Sequence, residues 1–359
     1  AYGYDMQIAQ GGNQDITFTG PMALGNAFER VINVASTGRL ANWSGAVTGS
    51  GSAGLVMTGG GILKLTNAAN AYSGRTGIQQ GSLVIGAVGA LPASSPLVFA
   101  GGTLSFWDIS QTLPNNIDML GTGTIEVGQG QVVTQTGVIS NVGKLTKTGL
   151  GMLVLSGNNT FGVIGAAPNV DQLILSAGAV SISSDANLGA TSVQQFGGNI
   201  WLPGGITFSG GQLFVTENMT SNRAVTVTAA LGGTISVAAG KTLTLNNALA
   251  NSTGTLTVVG SGTTLLNNTA NALDNVTVAG GGTLMTNVHS GTPFGDTVLN
   301  LNGGTVRVEP LGAGATLTVP TVAVGGGAVL RLDATGGLDT VFQFSTALNR
   351  SGQGTLVVV

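Results

Sequence analysis

One pattern, Gly-x-(Leu/Ile/Val)-x-(apolar), recurs about every 20–28 residues along this chain. It reads Gly81-Ser-Leu83-Val-Ile85, then Gly102-Thr-Leu104-Ser-Phe106, then Gly123-Thr-Ile125-Glu-Val127, and it returns from Gly151 to Gly354. Most neighbouring copies lie 20–23 or 27–28 residues apart, and the gap of 13 between Gly198 and Gly211 is the outlier. A near-fixed spacing of this size marks a solenoid. One copy is too short to bury its own apolar face, so it must stack on its neighbours. That requirement favours a scaffold over an enzyme.

The local pattern is strand throughout. Leu153-Val-Leu155, Val225-Thr-Val227, Leu243-Thr-Leu245 and Val306-Arg-Val308 alternate an inward apolar residue with an outward one. Gly and Asn clusters such as Gly157-Asn-Asn159 punctuate the runs as turns. Asn pairs at 115–116, 158–159, 246–247 and 267–268 are candidates for turns or for hydrogen-bonded ladders between stacked coils. Chain length and spacing together give about 17 coils, at roughly 4.8 Å per layer. Helical spacing occurs in Ala23–Val34, where Leu24, Phe28 and Val31 share one face. The segment reads either as an amphipathic cap over the open end of the stack or as irregular strand.

Charged residues make up only 7 % of the chain, and the net charge is −3. The eleven Lys and Arg are scattered, which leaves neither a nucleic-acid footprint nor a polybasic membrane patch. No run reaches about 18 unbroken apolar residues, so no transmembrane helix is expected. There is no cysteine, which fits a chain that must stay unfolded while crossing an oxidising space. A first residue Ala1 in place of Met suggests a secreted chain whose leader has been removed.

A longer period lies above the first. Leu145-Thr-Lys-Thr-Gly149-Leu-Gly151-Met-Leu153-Val-Leu155 has cousins at Leu55–Leu65, at Leu256–Gly262 and, at the end of the chain, at Leu348–Val358. Residues 1–50 therefore read as an N-terminal cap or assembly segment with the first coils. Residues 51–359 read as a continuous β-solenoid of three modules of roughly 100 residues and the start of a fourth.

The copy at 144–161, KLTKTGLGMLVLSGNNTF, resembles the autotransporter-associated β-strand repeat of bacterial passenger domains. That repeat reads L-x-K-x-G-x-G-x-L-x-L-x-G-x-N-x-Y/F. The copy at 54–74 matches with Ala substitutions, and the one at 255–273 is degraded. The resemblance implies an all-β fold, a right-handed parallel β-helix, exported and displayed at the bacterial surface, where such repeats assist secretion and form a stalk. The family's C-terminal membrane barrel and a head domain before the repeats are both missing from this sequence.

Residues that carry chemistry are sparse. The one histidine, His289, reads as a turn residue, and a Ser–His–Asp triad would need it as base. Metal sites built on His or Cys are excluded by count. The nearest grouping of charge is Asp333 and Asp339 with Arg331, which solvated turns explain. Asn-x-Ser/Thr recurs from Asn42 to Asn349, as composition alone predicts. Trp43, Trp107 and Trp201 form either a sugar-binding face or core packing. No catalytic, cofactor or metal residues are assigned.

These readings converge on a non-enzymatic extracellular structural protein that self-assembles into a surface fibre, sheath or layer. Its partner is then itself, head-to-tail or laterally, through the coil left open where the module stops at Val359. The alternative is an autotransporter passenger stalk or adhesin that binds a host surface or glycan.

Overall fold

The computed structural model describes residues 5–8, 14–164, 171–190, 194–196, 199–202, 204–228, 230–249, 252–269, 271–288, 290–309, 316–333 and 340–359. Strands dominate, and nearly every strand pair is parallel. The 3-10 turn Asp185–Leu188 is the sole helical element among the described residues. The protein is a β-solenoid of about 13 turns rather than 17. The count falls because turns lengthen locally: Ile62 pairs with Ser82, but Ala179 pairs with Gln212. The chain divides into two units, residues 1–165 with 186–202, and residues 166–185 with 203–359.

In unit 1 each turn lays short strands on separate sheets. A first sheet of seven strands runs from Met6–Ile8 through Arg30–Val34, Leu55–Thr58 and Thr76–Ile78 to Ile139–Asn141. A second stacks Ile16–Phe18, Leu40–Trp43, Ile62–Leu65, Ser82–Ile85, Thr103–Phe106, Gly123–Val127 and Leu145–Thr148. A third carries Gln111–Leu113, Val132–Gln135 and Met152–Leu155. Register places Ala41, Leu63, Leu83, Leu104 and Ile125 in one inward column, each fully buried. Each such Leu or Ile contributes roughly 1.5–3 kcal/mol relative to exposure. This column is the physical content of the Gly-x-apolar repeat.

Ala23–Val34 is not a helix. Met22–Ala23 and Arg30–Val34 are strands, and Arg30–Val34 pairs in register with Leu55–Thr58. Parallel pairing supplies that strand with backbone partners, and the Val31 amide donates instead to Asp5 Oδ2 at 2.7 Å. The helical spacing of Leu24, Phe28 and Val31 is incidental, for Leu24 is buried while Phe28 is 72 % exposed.

Unit 2 has longer strands. Ser252–Val259, Leu273–Ala279, Thr316–Val324 and Val341–Arg350 hold 8, 7, 9 and 10 residues. They lie beside a seven-stranded sheet that runs from Met219–Ser221 to Thr355–Val358. The alternation holds there too: Leu243, Leu266, Leu284 and Val306 are buried.

The glycines of the longer motif turn corners. Gly149 has φ +71°, and a Cβ on it would lie 2.2 Å from the Val127 carbonyl oxygen of the turn before. Only glycine tolerates both the left-handed backbone and that approach. Gly59 makes the same corner against Val34, with φ +85°. The two corners are not equivalent in the coil. Gly59 stands between the first and second sheets and Gly149 between the second and third, so a module is not a whole number of turns.

Candidate functional site

The motif asparagine nine or eight residues beyond the second corner glycine is a buried staple. Asn70 accepts from the Val47 amide at 2.8 Å and donates to the Ala90 carbonyl at 2.7 Å. Asn159 accepts from Ile139 and donates to Asn187, at 2.8 and 2.6 Å. Asn271 accepts from Leu249 and donates to Pro293, at 2.8 and 2.7 Å. Each side chain joins the turn before it to the turn after it, and each is almost fully buried. These contacts build the scaffold and present nothing to a ligand.

Lys147 of the same motif extends the inward column of unit 1, in register with Ile125. It is fully buried, and its Nζ donates to the Thr148 and Gly149 carbonyls at 2.7 and 2.8 Å. Burial lowers the ammonium to about 8, while the nearby Glu126 carboxylate works to raise it. Met57 and Val258 take the corresponding place in the cousin motifs, and both are buried. Tyr72 is also buried, with its hydroxyl 2.9 Å from Thr76 Oγ1. Burial raises it to about 12, and the Thr76 hydrogen bond works to lower it.

Charged groups elsewhere are engaged with one another. Arg223, 2 % exposed, donates from Nε to Asp185 Oδ1 at 3.0 Å, and from Nη1 and Nη2 to the Gly204 and Asp185 carbonyls at 3.1 Å. Burial lowers this guanidinium, and Asp185 opposes the shift. Asp333 does meet Arg331, at 2.7 Å, but a second arginine completes the group. Arg307 lies in register with Arg331, one turn away, and binds Asp333 at 2.7 Å and Glu309 at 3.1 Å. Burial works to raise the Asp333 carboxyl, but hydrogen bonds from Arg331 and Arg307 outweigh it and hold it below the usual range. A carboxylate so paired is a poor general acid. The spacing of Arg307 and Arg331 by one coil was a signal for this group. Asp339 and His289 lie outside the described residues. Among the described residues no three His, Cys, Asp or Glu side chains converge as metal ligands do.

The tryptophans separate. Trp43 is 8 % exposed and stacks on Phe18 with ring centroids 4.6 Å apart. Trp107 is half-buried, and its indole N–H donates to Glu126 Oε2 at 3.1 Å. The Lys64 ammonium sits 5.7 Å from the centre of its ring. Trp43 is core, and Trp107 is held in an outward polar cluster. The Trp201 side chain lies outside the described residues.

An open cleft lies elsewhere in unit 1, with a volume of about 630 Å³. Val31 and Val56, register partners on adjacent strands, line it with Thr58. The 24–29 loop adds Phe28 and Glu29, and Ser52, Arg75 and Gln79 complete the polar lining. Glu29 forms a two-bond ion pair with Arg75, one bond to Nε and one to Nη2 at 2.8 Å. Ser52 Oγ donates to the Ala27 carbonyl at 2.6 Å, and Arg30 Nε donates to Leu24 at 2.9 Å. The loop is thus pinned, yet its Phe28 ring stays exposed.

Comparison with known proteins agrees with the repeat. The passenger-associated transport repeat family matches residues 55–85 and 145–162. These segments hold the corner glycines, Lys147, Asn70 and Asn159. The chain carries this repeat and is in that respect autotransporter passenger-like. It is similar to Adhesin BmaC autotransporter of Brucella suis biovar 1, at 34 % identity over 145 residues. That alignment takes in 37 % of this chain and 4 % of the adhesin, so the chain spans a small part of its relative's length. No solved structure matches. No helix among the described residues is long and apolar enough to cross a membrane.

Proposed function

We propose that this passenger-like solenoid is a non-enzymatic stalk and adhesion segment, displayed outside a bacterium and binding a host surface or glycan. The observation that carries the reading is the similarity to an autotransporter adhesin over 145 residues, together with the repeat match. The side-chain chemistry supports it. Arg223 is used by Asp185, and Arg307 and Arg331 are used by Asp333, so the charges serve the stack. Parallel turns stapled by buried asparagines suit a part that carries an adhesive surface away from the cell. The test coats beads with the purified chain and counts their attachment to cultured host cells. Attachment above that of beads coated with an unrelated β-solenoid supports the reading, and equal attachment overturns it.

Self-association into a fibre or layer is the second reading, favoured by the 7 % content of charged residues. Sedimentation velocity across a wide concentration range decides it, since a mass that stays at 35.4 kDa throughout rules it out.

A further inference from the structure

We propose that the cleft between the 24–29 loop and the first sheet of unit 1 is a saccharide subsite, with Phe28 as its stacking platform and Glu29, Arg75 and Gln79 as its polar contacts. The proposal deepens the adhesin reading and rests on it only for the choice of ligands to try.

The argument starts from Phe28. An aromatic ring 72 % exposed forgoes most of the apolar burial open to it, which is roughly 1.5–3 kcal/mol for a Phe side chain. Mobility does not explain the exposure, because the loop is pinned on both sides of Phe28. Ser52 holds the Ala27 carbonyl before it, and the Glu29 side chain after it is fixed to Arg75. Gly51 lies so close to the Asn26 carbonyl, 2.3 Å from an added Cβ, that the loop is packed directly on the next turn. The ring is held out beside a cleft.

The cleft itself has the make-up of a small-ligand site. Its volume of about 630 Å³ is in the range that holds ligands, roughly 300–1,000 Å³. Half-buried Val31 gives it an apolar part, with Val56 beside it in register. Glu29 supplies carboxylate acceptors, Arg75 a planar donor, Gln79 an exposed amide with both functions, and Ser52 and Thr58 supply hydroxyls.

A pyranose matches this set. It has one face of C–H groups that stacks on an aromatic ring and a rim of hydroxyls that both donate and accept. A purely apolar ligand would leave Glu29 and Arg75 desolvated without gain, at a cost in free energy. A strongly charged ligand would have to break their ion pair. The tryptophans do not compete for the role. Trp43 is buried, and Trp107 has its N–H on Glu126 and Lys64 beside its ring.

The test is isothermal titration of the whole chain with lactose, maltose, cellobiose and N,N′-diacetylchitobiose, followed by the variants Phe28→Ala and Gln79→Ala. Both side chains are exposed, so both variants are expected to melt as the parent does. The expected result is saturable binding of at least one sugar, weakened roughly tenfold by Phe28→Ala and less by Gln79→Ala. Leu231→Ser, at an exposed site in unit 2, should leave it unchanged. Absence of binding to every sugar in the set overturns the proposal, as does binding that Phe28→Ala leaves intact. Bead attachment separates the two ideas. If parent beads attach but no sugar binds, or Phe28→Ala leaves sugar binding intact, the adhesin reading stands and this subsite falls. If a sugar binds but the beads do not attach, the subsite stands and the adhesin reading falls.

Discussion

Unit 1 and unit 2 run on the same repeat and are held by different means. Unit 1 breaks each turn into strands of 2–5 residues and ties its corners with buried side chains: Asn70, Asn115, Asn159 and Lys147. Unit 2 draws strands out to as many as 10 residues, so more of each turn lies in backbone ladders. Among its described residues one buried asparagine staple, Asn271, and one buried ion pair, Arg223–Asp185, accompany exposed asparagine ladders. The motif accounts for only part of the difference: the copy at 145–155 carries the Lys, whereas Met57 and Val258 stand there in the copies at 55–65 and 256–262, and all three keep both glycines. A buried polar group must be fully satisfied or it destabilises. Unit 1 is accordingly sensitive to single polar substitutions at more of its corners, and unit 2 should be insensitive outside Asn271 and, as the stronger exception, its one buried ion pair.

That exception should give the largest effect. In Arg223→Met, Asp185 loses its counter-charge and the Gly204 and Asp185 carbonyls lose their donors. Removing one partner of a buried pair costs about 3–5 kcal/mol. Hydrogen exchange should show the loss in unit 2, around the paired strands Ala179–Ile182 and Gln212–Val215, with less change in unit 1. Uniform loss across both units would mean that they unfold together and that the contrast between them is only one of geometry.

Asn159→Ala comes next, at about 2–3 kcal/mol, because the Ile139 amide and the Asn187 carbonyl are left buried without this partner. Asn271→Ala does the same in unit 2 and should cost a similar amount. Denaturant titration of both variants tests whether a staple is worth the same in short-strand and long-strand surroundings. A much smaller cost for Asn271→Ala would mean that the long ladders compensate for it.

The pH dependence sharpens the contrast, since Lys147 and Tyr72, the buried groups that titrate between pH 8 and 12, both lie in unit 1. The Lys147 ammonium falls from 10.5 to about 8 on folding. Between those values the unfolded chain holds the proton that the folded chain releases, so stability rises with pH across that window. Tyr72 goes from 10.0 to about 12. Above pH 10 the unfolded phenol ionises while the folded one stays neutral, so stability falls toward pH 12. Melting temperature should therefore climb above pH 8 and turn over near pH 10. Lys147→Met should remove the climb, and Tyr72→Phe should soften the fall. A profile that is flat from pH 8 to 10.5 in the parent would show that Lys147 is not held as the geometry describes.

How much of this was legible in the sequence depends on whether a side chain obeyed its period. Leu63, Leu83, Leu104 and Ile125 recur at coil spacing with strand alternation, and the inward column followed directly. Lys147 keeps the same phase, but its charge argues for the outside, and only the corner carbonyls explain why it can stay in. Asp185 and Arg223 pair across 38 residues, a separation set by a turn longer than the repeat. Phe28 carried a helical phase that the strand Arg30–Val34 overrode, so its place at the cleft was hidden behind a wrong period. Asparagines within Asn-rich runs gave no sign of which one was inside. Asn159 is buried, and Asn246 is half-buried with its amide in an accessible ladder.

The ladder asparagines supply the smallest effect and the strictest comparison. Asn246 Nδ2 donates to Asn222 Oδ1 at 2.8 Å, and Asn267 Nδ2 donates to Asn246 Oδ1 at 3.0 Å, which makes a ladder over successive turns of unit 2. Geometrically it resembles the staples, with one amide linking a turn on either side. Energetically it should not, because water replaces either bond at little cost when the residue is solvated. Asn246→Ala is expected to cost about 0.5 kcal/mol, against several times that for Asn159→Ala. The same denaturant titration measures both. Were the two losses equal, burial would not be what gives the unit 1 corners their sensitivity, and the ladder itself, amide upon amide, would be the stabilising element in both units.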